Sequence, residues 1–470
     1  MILVSSLIYL FIVLIYNFFN FSGRIDIDKS FLYIMYCIII GFSFLILNQD
    51  IIDFFCYLFC NDLLLFDYRL FFSLFILIIV FFSLPILFHY VKKYMFSLVE
   101  YFLIFLFAII SGISMLYTYY LLLFFLFFEM HNMCLYILIS FSKTNGNFIE
   151  SGLKYFILSS FSSVIMLLGI SFLYYSFGTL DLLQIQSILV VSNIYGLSFF
   201  MDFGFILLLL GFLFKLYCVP FHFWVPDIYH GSPTSSTFML ACISYILVFS
   251  VFFTFFVNLR LVWIVNIYDI MFFFTILCLF IGGIGGLFQR QLKRLIAYSS
   301  ISSIGYILYG FLERTELLYV DVFSYLFVYC VSLSGIFFLI LCVEINLSIP
   351  LRNIESTNID IFSGFFYINK YFAILLTFLF FSVSGIPPFL GFFVKFLIFE
   401  QTLYNTNLIL FIFMVFNSLC ACYYYFYFVK IMYYNKPLSN EIHLNLNTDI
   451  FFIIYILVLF LIIGTFFFIF

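Results

Sequence analysis

Four ionisable side chains in this sequence lie where water should be scarce. Glu129 sits in Phe125-Leu-Phe-Phe-Glu-Met-His-Asn-Met133, and Lys215 follows the uncharged run Phe203–Phe214. His222 stands in Pro220-Phe-His-Phe-Trp224, and Lys395 closes Ser382-Val-Ser-Gly-Ile-Pro-Pro-Phe-Leu-Gly-Phe-Phe-Val-Lys395. The chemistry open to such residues is proton transfer. A lysine near a bilayer centre costs roughly 2.5–3.5 kcal/mol on insertion scales and usually marks an ion or proton path. Burial and a nearby opposite charge act on a titrating group in opposite directions, so a buried carboxyl near a buried lysine can change charge close to neutral pH.

Both lysines stand beside helix breakers. Pro220 and Pro226 follow Lys215, while Gly385, Pro387, Pro388 and Gly391 precede Lys395. Proline removes an intrahelical hydrogen bond, and lipid tolerates the freed backbone only where protein or a water-filled cavity covers it. His222, at the end of the first broken span, either caps freed carbonyls or relays protons. His131 and Asn132 are assigned to other helix faces than Glu129. Lys154 is either a snorkelling residue or a relay. Asp202, Asp269 and Asp321 are expected at span edges, and Gly282–Gly286 as a close helix-packing surface rather than a phosphate loop.

The elements that position these residues are membrane helices. The chain is 67% hydrophobic and only 9% charged, and its mean hydropathy is +1.27. A soluble domain of that composition would have no polar surface, so the expected class is an all-α polytopic membrane protein. Spans are expected at 2–22, 31–47, 70–91, 98–116, 118–141, 152–177, 200–222, 234–256, 262–287, 292–312, 317–343, 372–399, 407–429 and 450–470. The interrupted apolar stretches 50–68 and 180–194 are expected to be short interfacial segments. The net charge of −4 argues nothing about nucleic acid, but there is no basic patch to neutralise phosphates, and no nucleic-acid partner is expected. The 11 cysteines lie mostly in apolar runs and show no metal or cluster spacing.

Basic residues test this count. With loops numbered from the N-terminus, twelve of the 18 lysines and arginines fall in odd loops and three in even ones. The positive-inside rule then places the odd loops in the matrix or cytoplasm and both termini on the opposite side. The two broken spans are separated by an odd number of spans, which reverses direction through the membrane and points to an inverted repeat. The expected divisions are residues 1–95, three leading helices; 96–258, a first five-helix repeat broken near 215–226; 259–432, a second, inverted repeat broken near 384–395; and 433–470, a final helix. The abundance of Phe, Tyr and other residues with AT-rich codons, without an Arg-rich presequence, suggests an organelle-encoded chain.

Several segments carry a resemblance. These are Lys215 with Val219-Pro-Phe-His-Phe-Trp-Val-Pro-Asp227, Gly152-Leu-Lys-Tyr-Phe-Ile-Leu158, Gly178-Thr-Leu-Asp181, Ala297-Tyr-Ser-Ser300 and Ser384-Gly-Ile-Pro-Pro-Phe-Leu-Gly391. In order and wording they resemble the antiporter-like membrane subunits of NADH:ubiquinone oxidoreductase, respiratory complex I, and among them the subunit 2 type. The resemblance implies a chain of charged residues along the membrane midplane, with Glu129, Lys215 and Lys395 at three of its positions. It also implies a lysine after Ala-x-x-Ser, where this chain has Tyr245, and a histidine where it has Ser303. Tyr245 can donate and accept a hydrogen bond but holds no positive charge at neutral pH.

The expected function is therefore a proton-translocating subunit in which Glu129, Lys215, Tyr245, Lys395 and His222 carry proton transfer, driven by quinone reduction elsewhere in the complex. No cofactor is expected on this chain; NADH, FMN, iron–sulfur clusters and ubiquinone would sit on other subunits. The expected partners are other membrane-arm subunits, including antiporter-like neighbours, together with lipids, water and protons, in the mitochondrial inner membrane. Two rivals remain open: a stand-alone cation/proton antiporter, and a structural subunit that does not pump.

Overall fold

The structure is a computed structural model that describes residues 68–142, 145–191, 199–259, 265–312, 316–346, 358–405 and 407–436. The expected spans 2–22, 31–47 and 450–470, and the stretch 50–67, lie outside the described residues. Among the described residues, every expected span from 70–91 to 407–429 is helical apart from the breaks after Lys215 and after Ser384. Among the described residues nine helical stretches are long and apolar enough to cross a membrane, and two further spans are broken.

In chain order the helices are α1 (Tyr68–Lys93), α2 (Leu98–Leu116), α3 (Leu121–Ile139), α4 (Gly146–Phe177), the short α5 (Leu182–Val191) and α6 (Phe199–Lys215). After the first break come α7 (Trp224–Gly231), α8 (Thr234–Phe238), a π-helical segment (Met239–Ser244) and α9 (Tyr245–Leu259), the last three forming one continuous rod. Then follow α10 (Val265–Leu287), α11 (Leu292–Leu312), α12 (Glu316–Asn346), the short α13 (Phe365–Ile368), α14 (Lys370–Ser384), α15 (Leu390–Tyr404) and α16 (Leu408–Tyr434). The α8–α9 rod, α11 and α12 are buried along nearly all of their length. Helices α3, α4, α10 and α16 bury less than half of theirs and form the outside. On α4 the outer face is apolar, with Leu153, Ile157, Phe161 and Val164 exposed, as a lipid-facing or subunit-facing helix requires.

The two ends of the bundle keep their loops apart. Lys93 reaches the carbonyls of Glu344 and Ile345, Ser151 that of Gly231, and Lys293 that of Ser232. Ile359 N–H donates to Arg290 O and Gly364 N–H to Ile431 O. All of these lie at the odd-loop end. At the other end Leu121 N–H meets Leu180 O and Leu182 N–H meets Tyr119 O, Arg69 stacks 4.3 Å over Tyr119, and Asn405 donates to the Tyr309 hydroxyl. The described helices therefore alternate in direction, as the distribution of basic residues demands.

Both broken helices end in the same way. At the end of α6, Cys218 N–H donates to Leu213 O and Tyr217 N–H to Phe214 O. At the end of α14, Ile386 N–H donates to Phe381 O and Gly385 N–H to Ser382 O. These are paired Schellman bonds, which take up carbonyls that a helix end would otherwise leave bare. The residue at the left-handed position is Gly385 (φ 82°) in one and Tyr217 (φ 62°) in the other.

The second break also brings two backbones into contact. A Cβ on Gly391 would lie 1.8 Å from Ser382 O, whereas one on Gly146 would meet nothing within 4 Å. Backbone atoms cannot rotate away, so Gly391→Ala should destabilise the protein by about 3 kcal/mol, the upper end of overpacking costs. Gly146→Ala should leave stability unchanged. Thermal unfolding of the two detergent-solubilised variants checks this; equal melting temperatures would contradict the packing.

Candidate functional site

Lys215 is the last residue of α6 and only 5% exposed. Its Nζ donates to Asn132 Oδ1 at 2.8 Å and to the Tyr155 hydroxyl at 3.4 Å. It also lies 4.9 Å from the centre of the Tyr155 ring and 5.3 Å from that of Phe128, within the range where a ring face attracts a cation. Asn132 in turn donates through Nδ2 to Glu129 Oε1 at 3.4 Å. Glu129 is half-buried and within electrostatic reach of Lys215. No ion pair joins the two among the described residues, because the Asn132 amide stands between them.

This corrects the assignment of Asn132 to another face. Residues three apart on a helix are neighbours, and Asn132 is the side chain that connects Glu129 to Lys215. His131 is directed elsewhere: its Nδ1 donates to Ala108 O at 2.8 Å, and its Nε2 lies 3.0 Å from Ser244 Oγ. It ties α3 to α2 and to the π-helical segment. His222 is buried in the turn after α6, and its Nδ1 has no hydrogen-bond partner among the described residues. No hydrogen bond or ion pair brings it to Lys215. Lys154 is exposed and paired with Glu150 at 2.6 Å, away from the site. Asp202, Asp269 and Asp321 sit near the starts of α6, α10 and α12.

From Lys215 a line of buried aromatic side chains leads inward. Tyr155 packs on Trp224, Trp224 on Tyr217, and Tyr217 stacks on Tyr245 with ring centres 5.9 Å apart. Tyr245, 2% exposed, lies 2.9 Å from Ser303 Oγ through its hydroxyl. Ser303 Oγ donates to Ser300 O at 2.8 Å, so in this arrangement Tyr245 is the donor. Beyond them Tyr329, Tyr325 and Tyr306 continue the line, with Ser299 Oγ 3.4 Å from the Tyr329 hydroxyl. Lys395 closes it, its Nζ 5.6 Å from the Tyr306 ring centre.

Lys395 is also 5% exposed, but it binds differently. Its Nζ donates to Val383 O and Ser384 O, each at 2.9 Å, the carbonyls at the C-terminal end of α14. A helix C-terminus carries partial negative charge, so the ammonium completes the end of this helix. Glycine suits 385 on two counts: it adopts the positive φ without strain, and a Cβ there would lie 2.8 Å from Lys395 Cδ. Among the described residues no three His, Cys, Asp or Glu side chains come together as metal ligands would. The site's chemistry is that of ammonium, carboxyl, amide and hydroxyl groups in a buried interior.

The family described as NADH:quinone oxidoreductase/Mrp antiporter, transmembrane, matches residues 118–421, which include every residue of this site. The chain belongs to that family. Among curated relatives, NADH-quinone oxidoreductase subunit N of Methylovorus glucosotrophus is 32% identical over 341 residues, covering 73% of this chain and 69% of the relative. NADH-ubiquinone oxidoreductase chain 2 of Marchantia polymorpha is 31% identical over 416 residues, covering 84% and 81%. The fold is also that of chains in solved assemblies. One is respiratory complex I from Thermus thermophilus, with a TM-score of 0.75, 20% identity and coverage of 99% and 97%. Another is an archaeal membrane-bound sulfane sulfur reductase, with a TM-score of 0.82, 20% identity and coverage of 99% and 93%. The resemblance read from the motifs thus holds, and with it the family's all-helical membrane fold.

Sequence reasoning missed Asn132, although its i, i+3 spacing from Glu129 was visible. It also missed Tyr155, which lies inside a quoted motif, and the contact between Tyr245 and Ser303. A buried hydrogen bond to a charged group is worth about 1.5–3 kcal/mol. A double-mutant cycle with Asn132→Leu and Lys215→Met, read by unfolding of the assembled complex, should therefore show a coupling of about that size. Additive effects would mean that the two side chains do not interact.

Proposed function

We propose that this chain moves protons across the membrane as the subunit N or chain 2 member of an NADH:quinone oxidoreductase. The observation that carries this reading is the placement of Lys215. Its ammonium is buried at a helix break, linked through Asn132 to Glu129, and followed by a buried line of tyrosines that ends at Lys395. A change in charge near the half-buried Glu129 alters how firmly Lys215 holds its proton, by Coulomb interaction at low effective dielectric. Lys215 releases that proton toward Tyr245 and Ser303, and Lys395 receives it at the far break. Quinone reduction on other subunits supplies the change at Glu129. Those subunits carry the NADH, FMN, iron–sulfur and ubiquinone chemistry, and neighbouring membrane-arm subunits flank this one.

Two broken helices with matching Schellman ends support the reading of residues 96–258 and 259–432 as inverted five-helix repeats. The mitochondrial inner membrane, with fourteen spans and both termini on the intermembrane-space side, is the setting that fits the basic-residue pattern and the composition. His222 belongs to the break rather than to the proton line. The stand-alone antiporter is not favoured, since the curated relatives reported above are subunits of NADH:quinone oxidoreductases.

A structural, non-pumping role has one specific observation behind it: Tyr245 and Ser303, two neutral hydroxyls, face each other where the family pattern has a lysine and a histidine. Substitution separates the readings. In the assembled complex in sealed vesicles, Lys215→Met should lower the number of protons moved per NADH oxidised, and an unchanged ratio would sink the proposal. Tyr245→Phe keeps the ring packing and removes only the hydroxyl. It should lower the ratio in the same direction, whereas a purely structural subunit would tolerate it.

A further inference from the structure

The proton line described above uses no group at the odd-loop end of the molecule, yet a carboxylate is buried there. Glu344, in the last turn of α12, is 2% exposed. Thr234 Oγ1 donates to its Oε2 at 2.7 Å, and Thr234 opens α8, which follows the first break and the short α7. Lys293, 5% exposed at the start of α11, lies within electrostatic reach of the same carboxylate and donates to Ser232 O at 2.9 Å. From α1, Lys93 holds the backbone carbonyls of Glu344 and Ile345, while Tyr90 and Tyr94 face the carboxyl group.

Two opposite charges taken out of water cost several kcal/mol each, and apolar side chains would join the helices as well or better. A cluster retained at that cost is a candidate for work other than adhesion. Its position says which work. Ser232 and Thr234 lie two residues apart where α7 meets α8, so the partner of Lys293 and the partner of Glu344 share one short link, joined through α7 to the break that follows Lys215. From Thr234 inward, the start of α8 consists of four hydroxyl residues, Thr234 to Thr237, each at most 1% exposed. They lead to the π-helical segment, whose Leu240 carbonyl accepts the Tyr217 hydroxyl at 3.0 Å.

We propose that Glu344 is the proton-loading site for the odd-loop side, an assignment that rests on the proton-translocating reading above. The Glu344 carboxylate accepts a proton from water at the odd-loop surface. It releases that proton past its hydroxyl partner Thr234 toward the start of α8 when the break shifts Ser232 and Thr234. Oε gains the proton from water and loses it to the α8 path, so the group returns to its starting state in each cycle.

The test uses the assembled complex in sealed vesicles, with protons moved per NADH oxidised as the readout across a range of pH. Glu344→Gln should lower the ratio to the level of Lys215→Met and remove the pH dependence that a titrating loading group imposes. Glu344→Asp should restore both. A Glu344→Gln complex that keeps the parental ratio and pH profile overturns the assignment, and if Lys215→Met lowers the ratio in the same preparation, the proton-translocating reading survives it. Should Glu344→Gln fail to assemble, Thr234→Val decides: it leaves the carboxylate and removes its hydroxyl partner, so a lowered ratio supports loading at Glu344 and a parental ratio overturns it. If Lys215→Met is also parental, the reading beneath the proposal falls with it.

Discussion

A helix that stops inside a bilayer leaves backbone carbonyls that lipid cannot satisfy, and this structure depends on stopping two of them. Each end is closed by a pair of Schellman bonds, and each has a buried lysine beside it. The two ammonium groups differ in what they hold. Lys395 donates to two carbonyls of α14, so its charge belongs to the backbone accounting of the break. Lys215 donates to side chains, Asn132 and Tyr155, and its charge is left to couple to Glu129. One broken helix thereby holds a cation firmly, while the other places one where a neighbouring charge can influence it.

Tyr217 ties the first break to the rest of the bundle. The left-handed backbone it adopts costs an L-residue roughly 1–2 kcal/mol, and glycine is the usual occupant of that position. Such a conformation persists where the surroundings over-determine it, and here they do. The Tyr217 hydroxyl bonds to Leu240 O, and its ring lies against Tyr245 and Trp224. A glycine would relax the turn and lose both contacts. The tyrosine therefore couples the end of α6 to the π-helical segment and to Tyr245, so that the geometry at Lys215 and the geometry at the middle of the proton line are set together.

Much of the fold was legible because the chain is so apolar. With 9% charged residues, each lysine inside a run is conspicuous, the prolines mark the breaks, and basic residues alternate between loops clearly enough to order the helices. The site was legible where it depends on residue type and not where it depends on register between helices. Lys215, Lys395 and Glu129 could be picked out singly. Asn132 was passed over because helical geometry was applied to it loosely, while Tyr155 and Glu344 needed knowledge of what faces them. Glu344, at the edge of the expected span 317–343, is indistinguishable in the sequence from an interfacial carboxylate, and only the packing of α1, α8 and α11 around it shows that it is buried.

The contact between Tyr245 and Ser303 changes what the middle of the line can do. A lysine or histidine there could hold a proton as a charge between one transfer and the next. Two neutral hydroxyls cannot; they pass a proton only by exchanging donor and acceptor roles within one step. Tyr245 now donates to Ser303, and Ser303 to Ser300 O. In the proposed mechanism, transfer from Lys215 therefore requires both hydroxyls to turn over before Lys395 can receive a proton. With two neutral hydroxyls between the two lysines, no proton rests as a charge midway along the line. In the proposed mechanism the hydroxyl pair is the gate of the line, because the arrangement in which Tyr245 donates to Ser303 and Ser303 to Ser300 O carries no proton in either direction.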